Sequence, residues 1–357
     1  MAVFLLFIFL SGNFIFGVIE KKDYIIKYFL IILLWILIWG NYSNADYINY
    51  LNSYNRNAEF IIGSNTSEII WCYLMKFSNL INLNYNQFLL IISFISFYML
   101  IKTTHKYTNN LNLFFVLYTI YPFFLNAVQI RFFFASSLAI LILRIPDKKY
   151  YFIMSMTLLL IASFIHYSFF LLFPYMFLRK IKENKYKKII FVSTIFLFCL
   201  FALDFHITLL KKVSFGPISN IYFKVKPYLS FKPSFLGFTL MVLIHFMLFF
   251  IFYVTYNEIK DSANGKLLDV FYKINVYSFI LIPFYYINGN FMRMLQFFVI
   301  INYIFFAFSY KYIPKNKKII YIFLFLSFPV IEFFRNIYLD NLQSVFYAIL
   351  NNNYIFD

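Results

Sequence analysis

The sequence predicts an all-α polytopic membrane protein with about 12 transmembrane helices. Of the 357 residues, 63% are hydrophobic and only 13% are charged, whereas a soluble globular domain is about 45–50% apolar and about 25% charged. Apolar runs also recur along the whole length, separated by basic loops. Both observations favour a helix bundle in lipid, with residues 1–357 forming one integral membrane domain.

The spans can be placed one by one along the chain. Residues 1–19 lack a basic n-region and a small-residue cleavage site, so they are interpreted as a first span rather than a signal peptide. The expected spans are 1–19, 24–40, 87–101, 111–125, 129–144, 150–165, 168–178, 189–203, 236–256, 270–287, 291–310 and 318–334.

The apolar stretch 69–83 decides the topology. It is short and contains Lys76. Counting it as a span would put the basic run 179–188 outside, against the positive-inside rule. We therefore expect an amphipathic helix on the outer surface, within a first long external loop at 41–86. A second, basic external loop is expected at 204–235.

Three apolar segments have basic residues near both ends and polar residues in the middle, and the first two are too short for two full spans. Residues 111–143 must enter and return, although two spans need about 40 residues, and Pro122 and Asn126 mark the break. The segments 150–178 and 270–310 repeat the pattern. Each is expected to form a short hairpin around a cavity open to the outside. The polar tips carry Gln129 and Arg131, then His166 and Ser168, then Arg293 and Gln296.

Arg131 is the hardest of these residues to explain as structural. A charge at the bilayer centre costs about 2.5–3.5 kcal/mol on insertion scales, and no acid lies within a turn of it. His166 alone fits a helix–helix hydrogen bond equally well, and Arg293 alone fits a side chain that reaches the interface. Together they favour a wet cavity, where guanidinium groups suit phosphate oxygens. His245, mid-span, is interpreted as structural.

The first external loop carries the acidic candidates. Asp46, Tyr50, Ser53 and Asn57 recur at helical spacing, so one face of a short helix would carry an acid, a tyrosine and amides. Sugar sites use that mixture, although a solvated loop with a helix cap at Asn44 or Asp46 explains the stretch as well. Further candidates for substrate binding are Tyr47 and Glu59 on this loop, and Lys211 and Lys212 on the second.

Absent motifs narrow the chemistry. The sequence has no Asp-x-Asp in a cytoplasmic loop, no Gly-rich phosphate loop, no Gly-x-Ser-x-Gly and no His-Glu-x-x-His. Nucleotide-sugar, ATP, serine-hydrolase and zinc-protease chemistries lose support. Cys72 and Cys199 are isolated in apolar segments and suggest neither a disulfide nor a metal site. Neither a metal nor a nucleic-acid partner is expected, despite the net charge of +17.

Four elements of the sequence resemble, in order and spacing, the EpsG/Wzy-like polysaccharide polymerases. The resemblance covers roughly residues 20–310 and departs from the family at one point. The family often has Gln directly after the first Arg, where this chain has Phe132, and Gln129 is a candidate to compensate. The elements are "NADYINYLNSYN" (44–55), "QIRFFFASSLAILIL" (129–143), "FIHYS" (164–168) and "NFMRMLQFF" (290–298).

The resemblance implies a glycosyltransferase of GT-C-like architecture in the bacterial inner membrane, with its active site facing the periplasm or cell exterior. Donor and acceptor would both be glycans on undecaprenyl diphosphate, and the product O-antigen, capsule or exopolysaccharide. Arg131 and Arg293 would neutralise the leaving diphosphate. His166 would donate to it or accept the proton, and Asp46 is the other candidate base. A chain-length regulator is a candidate partner, and no cofactor is expected.

Two other functions fit part of the pattern. A flippase for lipid-linked oligosaccharides would have about this many spans and a cationic cavity. Such transporters tend to show internal repeats, which this sequence does not, and rarely carry a polar external loop as long as 41–86. An O-antigen ligase would use similar chemistry with lipid A as the acceptor.

Overall fold

A computed structural model describes residues 1–20, 24–58, 69–144, 149–204 and 232–357. In these residues the chain is helical, apart from turns and an isolated antiparallel bridge between Asn41 and Asn353. The α-helices are α1 Ala2–Ile19, α2 Tyr24–Trp39, α3 Tyr47–Ala58, α4 Ile69–Leu80, α5 Tyr85–Tyr107, α6 Leu111–Ile120, α7 Phe123–Val128, α8 Ile130–Ala139, α9 Lys149–Ile165, α10 Phe173–Leu178, α11 Glu183–Ala202, α12 Phe235–Ile259, α13 Gly265–Tyr277, α14 Leu281–Ile287, α15 Arg293–Ser309, α16 Lys318–Phe333 and α17 Ala348–Asn351. Short 3₁₀ segments cover Ile140–Arg144, Tyr167–Leu172, Ser278–Ile280, Gly289–Met292 and Lys315–Lys317, and π-helical turns cover Phe334–Leu339 and Leu342–Tyr347.

Several of these helices can cross a membrane. Five helical stretches in the described part of the chain are long and apolar enough, and four shorter apolar helices accompany them. The chain is therefore a polytopic helical membrane protein, as the sequence predicts. The number of twelve spans and the GT-C arrangement stay predictions. The five long stretches are Ala2–Ile19, Tyr85–Tyr107, Phe235–Ile259, Gly265–Ile287 and Gly289–Ser309, and the shorter ones are Ile25–Trp39, Leu111–Ile120, Tyr151–Ile165 and Tyr167–Leu178.

Helix α15 forms the centre of the bundle. Every residue from Met294 to Ser309 is buried, as expected for a helix that is apolar on all sides. It packs against α5, α6, α12 and α13, and Asn302 crosses to α13 by donating to the Asn275 side-chain oxygen over 2.8 Å. Arg293, the first residue of α15, is exposed. The central helix therefore carries an exposed cation at one end and is buried over the rest of its length.

The segment 111–143 forms three short helices instead of two. Helix α6 ends before Pro122, where the sequence predicts a break. The predicted break at Asn126 is wrong, because this residue lies inside α7 and donates from its side chain to the Tyr118 hydroxyl over 3.2 Å. The second interruption falls at Gln129, with φ −93° and ψ 56°, and places Arg131 in the first turn of α8.

The other two tips are interrupted in the same way. After α9, His166 is extended (φ −149°, ψ 112°), and after α14, Asn288 is extended (φ −160°, ψ 132°). A 3₁₀ turn follows each of them. Non-helical backbone at membrane depth is tolerated only where protein or a water-filled cavity covers it. These breaks therefore indicate a covered or wet region at the tips.

Helix α4 lies in the stretch 69–83. Its 12 residues reach about 18 Å at 1.5 Å per residue, short of the roughly 30 Å of a hydrocarbon core. Trp71 and Met75 pack inward, whereas Tyr73 and Phe77 are exposed. A short helix with an exposed apolar face suits the surface of a bilayer.

A capping box closes the first long loop and starts α5. The Asn84 side chain accepts from the Gln87 amide over 2.9 Å, and the Gln87 side chain accepts from the Asn84 amide over 2.8 Å. Such reciprocal bonds satisfy two amide groups that a helix start leaves without partners. Helix α5 therefore begins two residues before the span predicted at 87–101, and it runs six residues past it.

Candidate functional site

The three hairpin tips bring their basic side chains together. Arg131 lies in the first turn of α8, Arg293 begins α15, and His166 lies between α9 and the next 3₁₀ turn. Both arginines are within electrostatic range of the His166 ring. Three segments distant in the sequence thus contribute to one cationic cluster, which we call the tip cluster: Arg131, His166 and Arg293.

Helix α3, which lies in the first long loop, contacts the tip cluster. The Arg131 Nε donates to the Tyr50 hydroxyl over 3.4 Å, and the guanidinium carbon lies 5.2 Å from the centre of the Tyr50 ring. This is the geometry of a cation–π contact. Arg293 and Asp46 are also within electrostatic range of Tyr50. The predicted acid and tyrosine of the loop therefore lie beside the predicted cations.

Burial raises the pKa of the Tyr50 hydroxyl, and the neighbouring Arg131 opposes this shift. The hydroxyl therefore stays protonated at neutral pH. Its oxygen accepts from Arg131 while its proton is available to donate to another group. Tyr50 can thus link the arginine to a bound acceptor atom.

Aromatic rings hold the His166 side chain. Its ring centre lies 5.3 Å from Phe132 at an interplanar angle of 86°, and 6.3 Å from Phe169 at 85°. Phe132 stands where the family often has Gln, and here it supports the histidine ring by an edge contact. The Nδ1 atom of His166 is buried with no hydrogen-bond partner in the described part of the protein.

Two glutamines flank the arginines. Gln129 lies at the break two residues before Arg131, and Gln296 lies one turn after Arg293 with 4% of its surface exposed. The side-chain oxygens of both glutamines are buried and have no partner among the described residues. Burying a polar atom without a partner is costly. These oxygens are therefore candidates to bind water or a ligand.

Asp46 occupies the start of α3. Its backbone oxygen accepts the first helical hydrogen bond, from the Tyr50 amide over 3.0 Å. Its own amide donates to the Asn44 side chain over 3.1 Å, which is the local bond expected where a chain turns into a helix. Asp46 and Tyr50 are one turn apart and share a face of α3.

The remaining predicted residues lie elsewhere. Tyr47 is buried, and its hydroxyl donates to the Asn86 side chain over 2.7 Å, so it joins α3 to α5 instead of facing the tip cluster. Ser168 is half-buried in the turn after His166. Three further candidates lie outside the described residues: Glu59, Lys211 and Lys212.

One buried ion pair was missed by sequence reasoning. Glu332 on α16 is fully buried and accepts two bonds of 2.8 Å from Arg335, with a third of 2.9 Å from Asn336. It lies within electrostatic range of Tyr121, just before the first hairpin break. The signal was available, because Glu and Arg three residues apart in an apolar helix share one face.

The described residues contain no group of three His, Cys, Asp or Glu side chains that could hold a metal ion. The side chains around the tips are instead donors and acceptors of hydrogen bonds. Guanidinium groups bind phosphate or carboxylate oxygens in pairs, while glutamine oxygens accept from hydroxyls. This donor set suits a ligand with an anionic half and a hydroxyl-rich half.

The fold and this site define a class: a polytopic helical membrane protein with a cationic and amide-lined site at interrupted hairpins. The family model described as the EpsG family matches residues 24–350. The chain therefore belongs to the EpsG family, which indicates a polysaccharide polymerase-type role. No curated protein and no solved structure matches the sequence.

Proposed function

We propose that this protein is a glycosyltransferase that joins oligosaccharide repeat units carried on undecaprenyl diphosphate, at the periplasmic face of the inner membrane. The growing glycan is the donor, and a single lipid-linked unit is the acceptor. The observation that carries the proposal is the tip cluster. Two arginines from separate hairpins flank one histidine at chain breaks within an apolar bundle.

The arginines suit the diphosphate. Phosphate oxygens only accept hydrogen bonds at neutral pH, and guanidinium groups only donate. Two cations held apart by the fold can bind the anionic leaving group and stabilise the charge that develops on it. Tyr50 adds a hydroxyl donor next to Arg131. The diphosphate is therefore assigned to Arg131, Arg293 and Tyr50.

The glutamines suit the sugars. A side-chain oxygen without a partner cannot bind a diphosphate, because both groups are acceptors. Sugar hydroxyls can donate to such an oxygen. The buried oxygens of Gln129 and Gln296 therefore assign the glycan to the side of the arginines where these amides lie. Substrate binding would satisfy atoms that otherwise depend on water.

The reaction moves one glycosyl group. A hydroxyl oxygen of the acceptor attacks the anomeric carbon of the donor glycan and forms the new glycosidic bond. The bond from that carbon to the diphosphate oxygen breaks, and its electron pair leaves with the lipid diphosphate. The hydroxyl proton passes to His166 or to Asp46. A bound diphosphate offsets the two arginine charges, which makes a proton on His166 more favourable than in the empty site.

The first test removes the Arg131 guanidinium. Arg131→Ala should abolish polymer and leave lipid-linked single repeats, because solvent cannot replace a charge partner inside the bundle. Arg131→Lys should rescue only in part, since an ammonium lacks the planar fork. Arg56→Ala removes an exposed arginine of α3 and serves as the control, with wild-type polymer expected. Full-length polymer from a well-expressed Arg131→Ala protein would contradict the assignment.

An assay in detergent separates the polymerase from a flippase. Purified protein given lipid-linked repeat units should lengthen the glycans without a sealed membrane. A flippase would leave them unchanged, because it needs two compartments. Transfer that occurs only when lipid A is supplied would instead indicate a ligase.

A further inference from the structure

A cluster of asparagines, two of them buried and two partly exposed, lies beneath the start of α3, and no part of the proposed chemistry uses it. It joins three segments that are far apart in the sequence: the end of α2 with the following turn, the first turn of α5, and the C-terminal segment. We call it the asparagine cluster: Asn41, Asn44, Asn86 and Asn353.

Asn41 uses its full hydrogen-bonding capacity. It is 1% exposed, and its side-chain nitrogen donates to the Ala348 oxygen over 2.8 Å and to the Asn352 oxygen over 2.9 Å. Its side-chain oxygen accepts from the Asn44 side chain over 2.9 Å. A fully satisfied buried amide fixes the groups around it in one arrangement.

Asn86 ties the same turn to α5. Its side-chain nitrogen donates to the Trp39 oxygen over 2.8 Å and to the Asn41 oxygen over 3.1 Å. Its side-chain oxygen accepts from the Tyr47 hydroxyl. The first turn of α3 is therefore attached to a membrane helix through a single amide.

The C-terminal segment approaches so closely that only glycine fits beside it. A Cβ on Gly40 would lie 2.5 Å from the Asn353 side-chain oxygen and 2.9 Å from the Ile36 oxygen. Asn353 is fully buried and donates to that same Ile36 oxygen over 3.1 Å. The close contact therefore restricts which side chains can stand at positions 40 and 353.

The hydrogen bonds of the asparagine cluster extend to Asp46, the candidate base. The Ala45 amide donates to the Ser344 oxygen over 3.2 Å, and the next residue, Asp46, donates to the side chain of Asn44. Helix α3 has only 12 residues, and isolated helices of this length are marginal in water. Its placement over the tip cluster must therefore come from contacts such as these.

We propose that Asn41 is a positioning residue, which holds the C-terminal segment 344–353 against the turn 40–46 and so fixes Asp46 and Tyr50 over the tip cluster. The role in catalysis rests on the proposed function, whereas the brace itself is a property of the fold. Displacing reacting groups by about 1 Å can cost about 100-fold in rate. Loosening the brace should therefore reduce turnover without removing any group that contacts the substrate.

The test combines an isosteric change with a covalent replacement for the brace. Asn41→Asp keeps the shape but loses both donors to the Ala348 and Asn352 oxygens. In a background with Cys72→Ser and Cys199→Ser, we expect Asn41→Asp to lower kcat about 10–100-fold, with KM for the lipid-linked unit nearly unchanged. Adding Ala45→Cys and Ser344→Cys and oxidising the pair should restore most of the activity, and reduction should remove it again.

Asn52→Asp is the matched control, because it adds the same charge at an exposed asparagine of α3 and should retain normal turnover. The yield of the 45–344 cross-link without substrate is a second measurement, expected to be lower in Asn41→Asp than in its parent. Normal turnover in Asn41→Asp, or a formed cross-link without recovery, would overturn the proposal. A parent protein that makes no polymer would contradict the proposed function, and the cross-link yields would still decide whether the brace exists.

Discussion

Two histidines in the apolar part of the molecule are held in opposite ways. His245 on α12 is 1% exposed, with Nδ1 2.9 Å from the Tyr285 hydroxyl and Nε2 2.8 Å from the Ser278 hydroxyl. His166 is partly exposed and has aromatic neighbours, and no protein group in the described ranges bonds its Nδ1. The first ring is a completed link between helices. The Nδ1 atom of the second ring remains available for a ligand or water.

The arginines also differ in their surroundings. Arg335 forms a two-bond fork with the fully buried Glu332, so its charge is balanced within the protein. Arg131 contacts the Tyr50 hydroxyl and ring in the first turn after a chain break. Polar groups that are fully bonded within the protein stabilise the fold. The chain breaks instead hold buried polar atoms with no partner among the described residues, at His166, Gln129 and Gln296.

The largest expected effect is a loss of activity when His166 is replaced, which is not expected for His245. His166→Ala should lower kcat by about 10²–10⁴-fold, the usual contribution of general acid–base catalysis. The temperature of unfolding should fall less than in His245→Leu, because His166→Ala removes ring contacts with Phe132 and Phe169 but no hydrogen bond at Nδ1. If His166 transfers the proton, His166→Gln should fail as badly as His166→Ala; if it only donates a hydrogen bond, Gln should keep substantial activity. Near-normal polymer from both variants would make His166 structural and end the contrast.

A smaller effect is expected at His245, and in stability instead of rate. His245→Leu removes the bonds to the Tyr285 and Ser278 hydroxyls; Ser278 still donates to the Asn275 oxygen over 2.6 Å, but the Tyr285 hydroxyl loses its bond, and such a loss costs about 1–3 kcal/mol. Thermal unfolding in detergent should show the loss, while activity per folded molecule stays near wild type. Tyr285→Phe removes one of the two bonds and should cost less. A His245→Leu protein that unfolds normally but makes no polymer would place His245 in the site.

The smallest effect is expected within α15, where the side-chain amides of Gln296 and Asn302 have different hydrogen-bond partners. Gln296→Leu removes an oxygen with no partner in the described protein, so stability should hold or rise. The KM for the lipid-linked acceptor should increase about tenfold, the equivalent of one hydrogen bond of about 1.4 kcal/mol. Asn302→Leu is the comparison, since the Asn302 side-chain nitrogen donates to Asn275, although its oxygen, like that of Gln296, has no partner among the described residues. It should lose stability and keep its KM, and the reverse pattern would contradict the assignment.

The charge pattern of the sequence was enough to find the tips. Basic residues at both ends of three apolar segments, two of them too short to cross twice, predicted that Arg131, His166 and Arg293 lie near one surface, because each residue lies near the middle of its segment. Local signals were less reliable for helix boundaries. Asn126 was predicted to break a helix, but the break falls at Gln129, since α7 accommodates the amide by a bond to Tyr118.

Long-range bonds explain what the sequence could not predict. The bonds of Asn41 to the C-terminal segment join residues more than 300 positions apart, and nothing in the local pattern distinguishes this asparagine from the many others in the chain. Tyr47 has the spacing of a site residue, yet its hydroxyl is taken by Asn86. Spacing predicts which side chains share a helix face, but only packing determines which of them remain available.

The burial of α15 has a consequence for how the product grows. A helix that is enclosed along its whole length below Arg293 cannot slide without disturbing the entire core. The depth of Arg293 in the bundle is therefore fixed, and under the proposed function it would meet the lipid diphosphate at one depth, whatever glycan is attached. Such a site would recognise the lipid diphosphate of the substrate and would not respond to the number of sugars already joined. Control of polymer length would then come from outside this helix, through the time that a chain remains bound.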